Sequence, residues 1–378
     1  MSLRRIVYIT GTRADFGLMR STLISLNCSS AISLGVIVTG MHLAEKYGWT
    51  VKDVENSGLE IISRVPVDLE PETGETMALA ISTMLMEFTK ILNDDRPDLI
   101  LVLGDRGEML AAAVAGLYLS IPVAHIHGGE RSGTIDESIR HALSKLSHIH
   151  LVATEESRSR LISLGETPDR VHVTGAPGLD GLNELASYSR ASLVSKFDLI
   201  YEQAICLFVF HPVVQESASA GAQTEIILEA LSKISGLQII GILPNADSGS
   251  ELIRQQMDVE KYPSLHTYKN LSREEFVSFM QIADVMVGNS SSGIIEAACF
   301  GTPVINLGSR QQLRQRNSNV TDVELDSDAI TRVVDIAIKN GKRPMQNVYG
   351  DGSAGRRIVA ILESIAIDDR LLDKVLTY

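Results

Sequence analysis

Leu99-Ile100-Leu101-Val102-Leu103, followed at once by Gly104-Asp105-Arg106-Gly107-Glu108, is the stretch on which the fold turns. Five consecutive apolar residues leave neither face of a strand polar. Such a strand needs cover on both sides, the condition of a parallel sheet between helices. Pro97 marks its start, and the Ala-rich stretch 109–119 after the polar turn reads as a helix. Pro122 then leads a second apolar strand, 123–126. The same alternation runs in both directions. Stretches 4–10, 31–39 and 149–153 read as strands, and 16–26, 77–92 and 134–146 as helices. The second half repeats it, with strands at 204–210, 237–243, 284–287 and 303–307 and helices at 224–234, 248–257, 273–283 and 294–300. Between the halves, residues 175–195 hold Pro177, three glycines and a polar helix, which break the pattern. A chain of 378 residues exceeds a usual single core. The expected fold is α/β: two doubly wound domains around a central cleft, residues 1–185 and 186–359. The long helical stretch 354–376 is expected to cross back, so that 360–378 joins the first domain.

The net charge of −13 removes two partner classes, because neither a nucleic-acid footprint nor a polybasic membrane patch is present. An anionic substrate must then be held by a few placed arginines. No apolar stretch approaches the length of a transmembrane helix, and the opening apolar run is too short for a signal peptide. A cytoplasmic protein is expected. Cys28, Cys206 and Cys299 are far apart in apolar surroundings, which suggests buried free thiols of a reducing compartment.

In open parallel sheets, ligands bind beyond the carboxyl ends of the strands. The residues that follow each strand here are polar and glycine-rich. After the first strand come Gly11-Thr12-Arg13-Ala14-Asp15, where Arg13 is either a fixed cation for a phosphate or a solvated arginine beside a turn. Asp105 follows 99–103 as a cleft carboxylate, a helix N-cap, or both. His125-Ile126-His127-Gly128-Gly129-Glu130-Arg131 is the densest ionisable cluster. The period of two places His125 and His127 on one strand face. A metal pair has no third ligand of suitable spacing, so acid–base chemistry is favoured and no metal is expected. On helix 134–146, Ile135, Ile139, Leu143 and Leu146 form the stripe expected to be buried. Asp136 and Arg140 share another face, as a site pair or a surface ion pair. His211, between a strand and Pro212, is expected to face the cleft. Gly288-Asn289-Ser290-Ser291-Ser292-Gly293 has the strand–loop–helix form of an anion cradle, and Glu296 is placed to meet a ribose diol. Arg310 and Arg314 either close on a diphosphate or belong to a surface loop.

Taken in order, these segments resemble the UDP-N-acetylglucosamine 2-epimerase family. The signals are Gly-Thr-Arg-Ala-Asp at 11–15, Gly-Asp-Arg at 104–106, His-Ile-His-Gly-Gly-Glu at 125–130 and Asp-Glu-Ser-Ile-Arg-His at 136–141. Gly-Asn-Ser-Ser-Ser-Gly at 288–293 and Gly-Thr-Pro-Val-Ile-Asn-Leu-Gly at 301–308 complete the set. The chain looks most like the hydrolysing branch that serves bacterial sialic-type (nonulosonic) acid synthesis. The resemblance implies a GT-B fold of two Rossmann-like domains, a homodimer, and no cofactor. It implies a UDP-sugar substrate, with UDP-N-acetylglucosamine converted to N-acetylmannosamine and UDP, or UDP-N,N'-diacetylbacillosamine as the alternative. It puts Arg13, His211, Ser290, Ser291, Glu296 and Arg314 at the nucleotide, with Ser292 and Gly293 in the same loop, and Asp105, Asp136 and Arg140 in the sugar site. Many family members carry Glu where His127 stands, so the acid and base remain open among Asp105, His127, Glu130 and Asp136. The implied route is loss of UDP with the C2 proton to give a glycal, then hydration with protonation of C2 from the other face. Rival readings are a non-hydrolysing epimerase, a retaining GT-B glycosyltransferase and a non-catalytic sugar-nucleotide sensor.

Overall fold

The computed structural model describes residues 3–375 and 377. Seven strands build the first sheet: β1 (Arg4–Thr10), β2 (Ile32–Thr39), β3 (Glu60–Val65), β4 (Leu99–Leu103), β5 (Val123–Ile126), β6 (Ile149–Val152) and β7 (Val171–Val173). Six build the second: β8 (Ala204–Val209), β9 (Leu237–Ile242), β10 (Leu265–Tyr268), β11 (Val285–Gly288), β12 (Val304–Leu307) and β13 (Val320–Val323). The order is β3-β2-β1-β4-β5-β6-β7 in one and β10-β9-β8-β11-β12-β13 in the other, and every pairing among the described residues is parallel.

The central strands are covered on both faces, as their composition requires. Along β4, Leu99, Leu101 and Leu103 enter one apolar core, and Ile100 and Val102 enter another across the sheet. Along β8, Cys206 and Phe208 point one way and Ile205, Leu207 and Val209 the other. Each such side chain contributes about 1.5–3 kcal/mol by leaving water. In each sheet the strand order reverses once, between β1 and β4 and between β8 and β11. The loops diverge at those points and leave a crevice at the strands' carboxyl ends.

Two stretches of chain cross between the halves side by side. The Ala176 amide donates to the Tyr349 carbonyl at 2.8 Å. Asp180 accepts the amides of Ala354 (2.9 Å) and Gly355 (2.5 Å), and so caps the returning helix Ala354–Ser364. Ile358 and Leu362 of that helix share a core with Ile6 and Tyr8.

Several expectations need correction. The helix expected over 354–376 is two pieces, Ala354–Ser364 and Asp369–Leu372. Ile365 turns extended between them, which seats Ile365 and Ile367 on the first core. Leu376, and the terminal residues Met1, Ser2 and Tyr378, lie outside the described residues. The helix expected at 294–300 is a short helix, Ser291–Ile295, and then a 3-10 turn, Ala297–Phe300. Cys206 is buried, but Cys28 and Cys299 are exposed. Ile135, expected in a buried stripe, is exposed at the start of its helix. No helix among the described residues is long and apolar enough to cross a membrane.

Candidate active site

Two cavities occupy the crevice and share Met41 as a common wall. The larger, about 500 Å3, is lined by Arg13, His211, Ser290, Ser291, Ser292 and Glu296. The smaller, about 240 Å3, is lined by Asp105, Asp136 and Arg310. A more open groove of about 1100 Å3 lies by the chain crossing, near Gly175 and Arg357, and holds none of the candidate site residues.

The turn after β1 is set by Asp15. Its carboxylate accepts from the Thr12 amide (2.7 Å) and hydroxyl (2.9 Å), the Gly11 amide (3.1 Å) and the Thr10 hydroxyl, and Thr12 caps the helix Arg13–Asn27 in return. Burial pushes the Asp15 carboxyl up to about 6 against these hydrogen bonds. Arg13, first in the helix, is thereby aimed at the larger cavity. Across it, Asn289 joins the ends of β8 and β11: its Oδ1 accepts the His211 amide and its Nδ2 donates to the His211 carbonyl, both at 2.7 Å. Burial and the Arg310 charge push the His211 imidazole down to about 3. It therefore meets a ligand at neutral pH as an uncharged ring. Its Nδ1 is buried with no hydrogen-bond partner among the described residues.

Gly288 closes β11 at φ +135°, where an added Cβ would lie 2.0 Å from the Val209 carbonyl oxygen. Gly288→Ala is therefore expected to cost more than about 2 kcal/mol, read as a lower urea midpoint. A midpoint matching the parent protein's would contradict this account. Ser290 caps the helix Ser291–Ile295, and its hydroxyl lies 2.7 Å from that of Ser292. Gly293 faces away, packed toward Val304 and Met286, and lines neither cavity. Glu296 is buried and ion-paired with Arg273 at the cavity edge. Sequence reasoning missed Arg273. A capping box, Ser272 with Glu275, marks the start of its helix, but nothing local ties it to Glu296.

In the smaller cavity, Asp105 is not a helix cap: Arg106 holds that position without a side-chain bond. Asp105 is 21% exposed and pairs with Arg140, whose side chain is 1% exposed. Arg140 also donates to the Glu130 carbonyl and the Ser132 hydroxyl, both at 3.2 Å. Burial and the nearby Arg314 and Arg310 charges work against its own charge, so the Asp105 carboxylate is its compensation. Asp136 does not pair with Arg140. It faces the cavity, 3.7 Å from Arg310 of the second domain.

His125 and His127 do not act together. His125 is buried against the Gly104 carbonyl (2.7 Å) and Ser144 (3.2 Å), and burial pushes it down to about 3, which makes it a brace for the Asp105 turn. His127 lies beyond β5 with φ +63°, an uncommon backbone for a residue with a Cβ. The turn returns Glu130 to its ring, with Nδ1 2.5 Å from the carboxylate. The other Glu130 oxygen pairs with Arg314 from the second domain. His127, Glu130 and Arg314 thus form a network behind the crevice, and none of them lines either cavity. Arg314, expected at the nucleotide, pairs with Glu130 and lines neither cavity.

Two parallel sheets, each wound in both directions from a central reversal and covered by helices on both faces, define a GT-B-type protein. The family described as UDP-N-acetylglucosamine 2-epimerase matches residues 25–363, and the chain belongs to that family. A hydrolysing UDP-N,N'-diacetylbacillosamine 2-epimerase of Legionella pneumophila is 45% identical over 377 residues, all of both chains. A UDP-N-acetylglucosamine 2-epimerase of Neisseria meningitidis serogroup B is 34% identical over 93% of this chain and 92% of its own length. Among solved structures, a UDP-GlcNAc 2-epimerase from Neisseria meningitidis bound to UDP-GlcNAc shares the fold, with a TM-score of 0.80 at 21% identity over 95% of this chain and 99% of that one.

Proposed function

We propose that this protein is a hydrolysing 2-epimerase that releases UDP from a 2-acetamido sugar nucleotide and inverts C2, with UDP-N,N'-diacetylbacillosamine as its substrate. The carrying observation is that Asp105 and Asp136 line one chamber, which adjoins a cavity edged by Arg13, Arg273 and three serines. The full-length 45% relative supports the substrate. UDP-N-acetylglucosamine is the second reading, favoured by the 34% relative of that activity. The domain boundary is placed near residue 185, and the returning helix is assigned to the first domain on the strength of Ile358 and Leu362 in its core.

In this reading the UDP lies in the larger cavity. Arg13, Arg273 and the hydroxyls of Ser290–Ser292 offset the charge that develops on the departing phosphate. His211, uncharged, donates an N–H to a phosphate oxygen. Asp105 removes the C2 proton, the C1–C2 double bond forms, and the C1–oxygen bond to UDP breaks. Water then adds its hydroxyl at C1 and gives its remaining proton to Asp136, which passes it to C2 from the opposite face, while Asp105 releases the proton it took to solvent. Atoms and charge balance as sugar nucleotide plus water giving UDP and the 2-epimeric free sugar. His127, oriented by Glu130, is assigned to hold the β5 turn and the closed cleft.

The test is a turnover in deuterium oxide. UDP and the inverted sugar carrying one deuterium at C2 are expected. Protium retained at C2 would overturn the elimination route, and UDP-sugar as the only product would point to the non-hydrolysing reaction.

A further inference from the structure

The smaller chamber has two unlike walls. On one side, the helix Gly74–Asp94 contributes Met77, Ile81 and Met84, spaced four and three apart on one face. No residue of that helix lining the chamber is polar. Val213 and Val214 extend the apolar surface. Ile81 packs against the first residue of the helix that follows Asp105, for a Cβ added at Gly107 would lie 2.6 Å from its Cδ1. The apolar wall therefore stands beside Asp105. The polar lining comes from other elements: Asp105, Arg106, Glu108, Asp136, Asp247, Arg310 and Thr134. Thr134 occupies the cap position of the helix Ile135–Leu146, yet its hydroxyl caps nothing. That oxygen is buried without a partner among the described residues.

We propose that this chamber reads the C4–C6 edge of the sugar, with Ile81 and Met77 selecting a 6-deoxy carbon and Thr134 bonding a 4-acetamido group. The inference rests on the UDP-sugar reading above. A hydroxymethyl turned toward Met77 and Ile81 gives up hydrogen bonds to water and finds no partner on that helix. A methyl loses none. A 4-acetamido group brings a donor and an acceptor to the opposite wall, where the unpaired Thr134 hydroxyl satisfies either.

The experiment measures kcat/KM on the full chain with three UDP-sugars: UDP-N,N'-diacetylbacillosamine, UDP-N-acetylglucosamine and the 6-deoxy form of the latter. Both 6-deoxy substrates are expected to be preferred over UDP-N-acetylglucosamine by about 100-fold. Ile81→Asn should shrink that preference to about tenfold or less, while Ile81→Val keeps it, which separates wall polarity from a folding defect. Thr134→Val should lower kcat/KM for the 4-acetamido substrate by about tenfold and change that for the 4-hydroxy, 6-deoxy one far less. Equal turnover of UDP-N-acetylglucosamine and its 6-deoxy form overturns the wall but leaves the epimerase reading standing. Unchanged selectivity in both the Ile81→Asn and Thr134→Val variants overturns the assignment of these residues. UDP release from none of the three sugars overturns both readings.

Discussion

Asp105→Asn is expected to lower kcat for UDP release by about a thousandfold, the range of a lost general base. The substitution preserves shape and removes charge. Two consequences follow from one contact. The amide cannot accept the C2 proton at neutral pH, so the elimination loses its driving group. Arg140, fully buried behind it, also loses its only anionic partner among the described residues. Because Asp105 is itself partly open to the chamber, water offsets some of that loss, and stability should fall by about 2–3 kcal/mol rather than by the larger amount typical of a fully buried pair. UDP affinity should change little, since the larger cavity is lined by other residues. Stopped turnover with retained UDP binding separates a catalytic defect from a collapsed fold. A kcat within tenfold of the parent protein removes Asp105 from the chemistry.

The central strands were legible because a strand buried on both faces has no polar position to blur its signal. β4 and β8 are of that kind. The four strands missing from the sequence reading, β3, β7, β10 and β13, are the four edge strands. Edges are half solvated, so their sequences mix. β13 is Val-Thr-Asp-Val, with its two central residues exposed. β3 carries Glu60 and Arg64 at its exposed positions. Length and apolar runs give no purchase on such segments.

The site was legible to the extent that it follows from strand ends. Once β1, β4, β8 and β11 are placed, Arg13, Asp105, His211 and Ser290 fall at the two reversals of strand order. Pairing was not legible. Arg140 answers Asp105 from 35 residues away, Arg314 answers Glu130 from 184 and Arg273 answers Glu296 from 23. Spacing along a helix suggested Asp136 with Arg140, but the helix turns Arg140 inward to Asp105 and leaves Asp136 to the cleft. A local rule for charge pairs finds only partners on one element. Here the strongest partners come from other elements, and in the case of Arg314 from the other domain.

That cross-domain pair gives the second large effect. Glu130→Gln is expected to cost on the order of 2–3 kcal/mol of stability near neutral pH and to lower kcat by about a hundredfold. Burial opposes the Glu130 charge, but Arg314 and His127 overcome it and hold the carboxyl at about 2, against an ordinary 4.5. A depressed carboxyl contributes stability that is complete above its unfolded value and lost as pH falls toward its folded value. The parent protein should therefore show a stability component that is flat above pH 5 and declines between about 4.5 and 2. The Gln variant should lack that decline and start from a lower plateau, because an amide neither holds Arg314 by charge nor titrates. Activity should fall because His127 loses the partner that fixes its ring and the second domain loses an anchor at the β5 turn. Arg314→Gln should flatten the same limb, since the largest influence that holds Glu130 ionised is gone. Urea unfolding across this pH range, run beside kcat at pH 7, reads both effects. A Glu130→Gln variant with the parent's full acid limb would mean that the titration belongs elsewhere and that the His127–Glu130–Arg314 network does not hold the cleft.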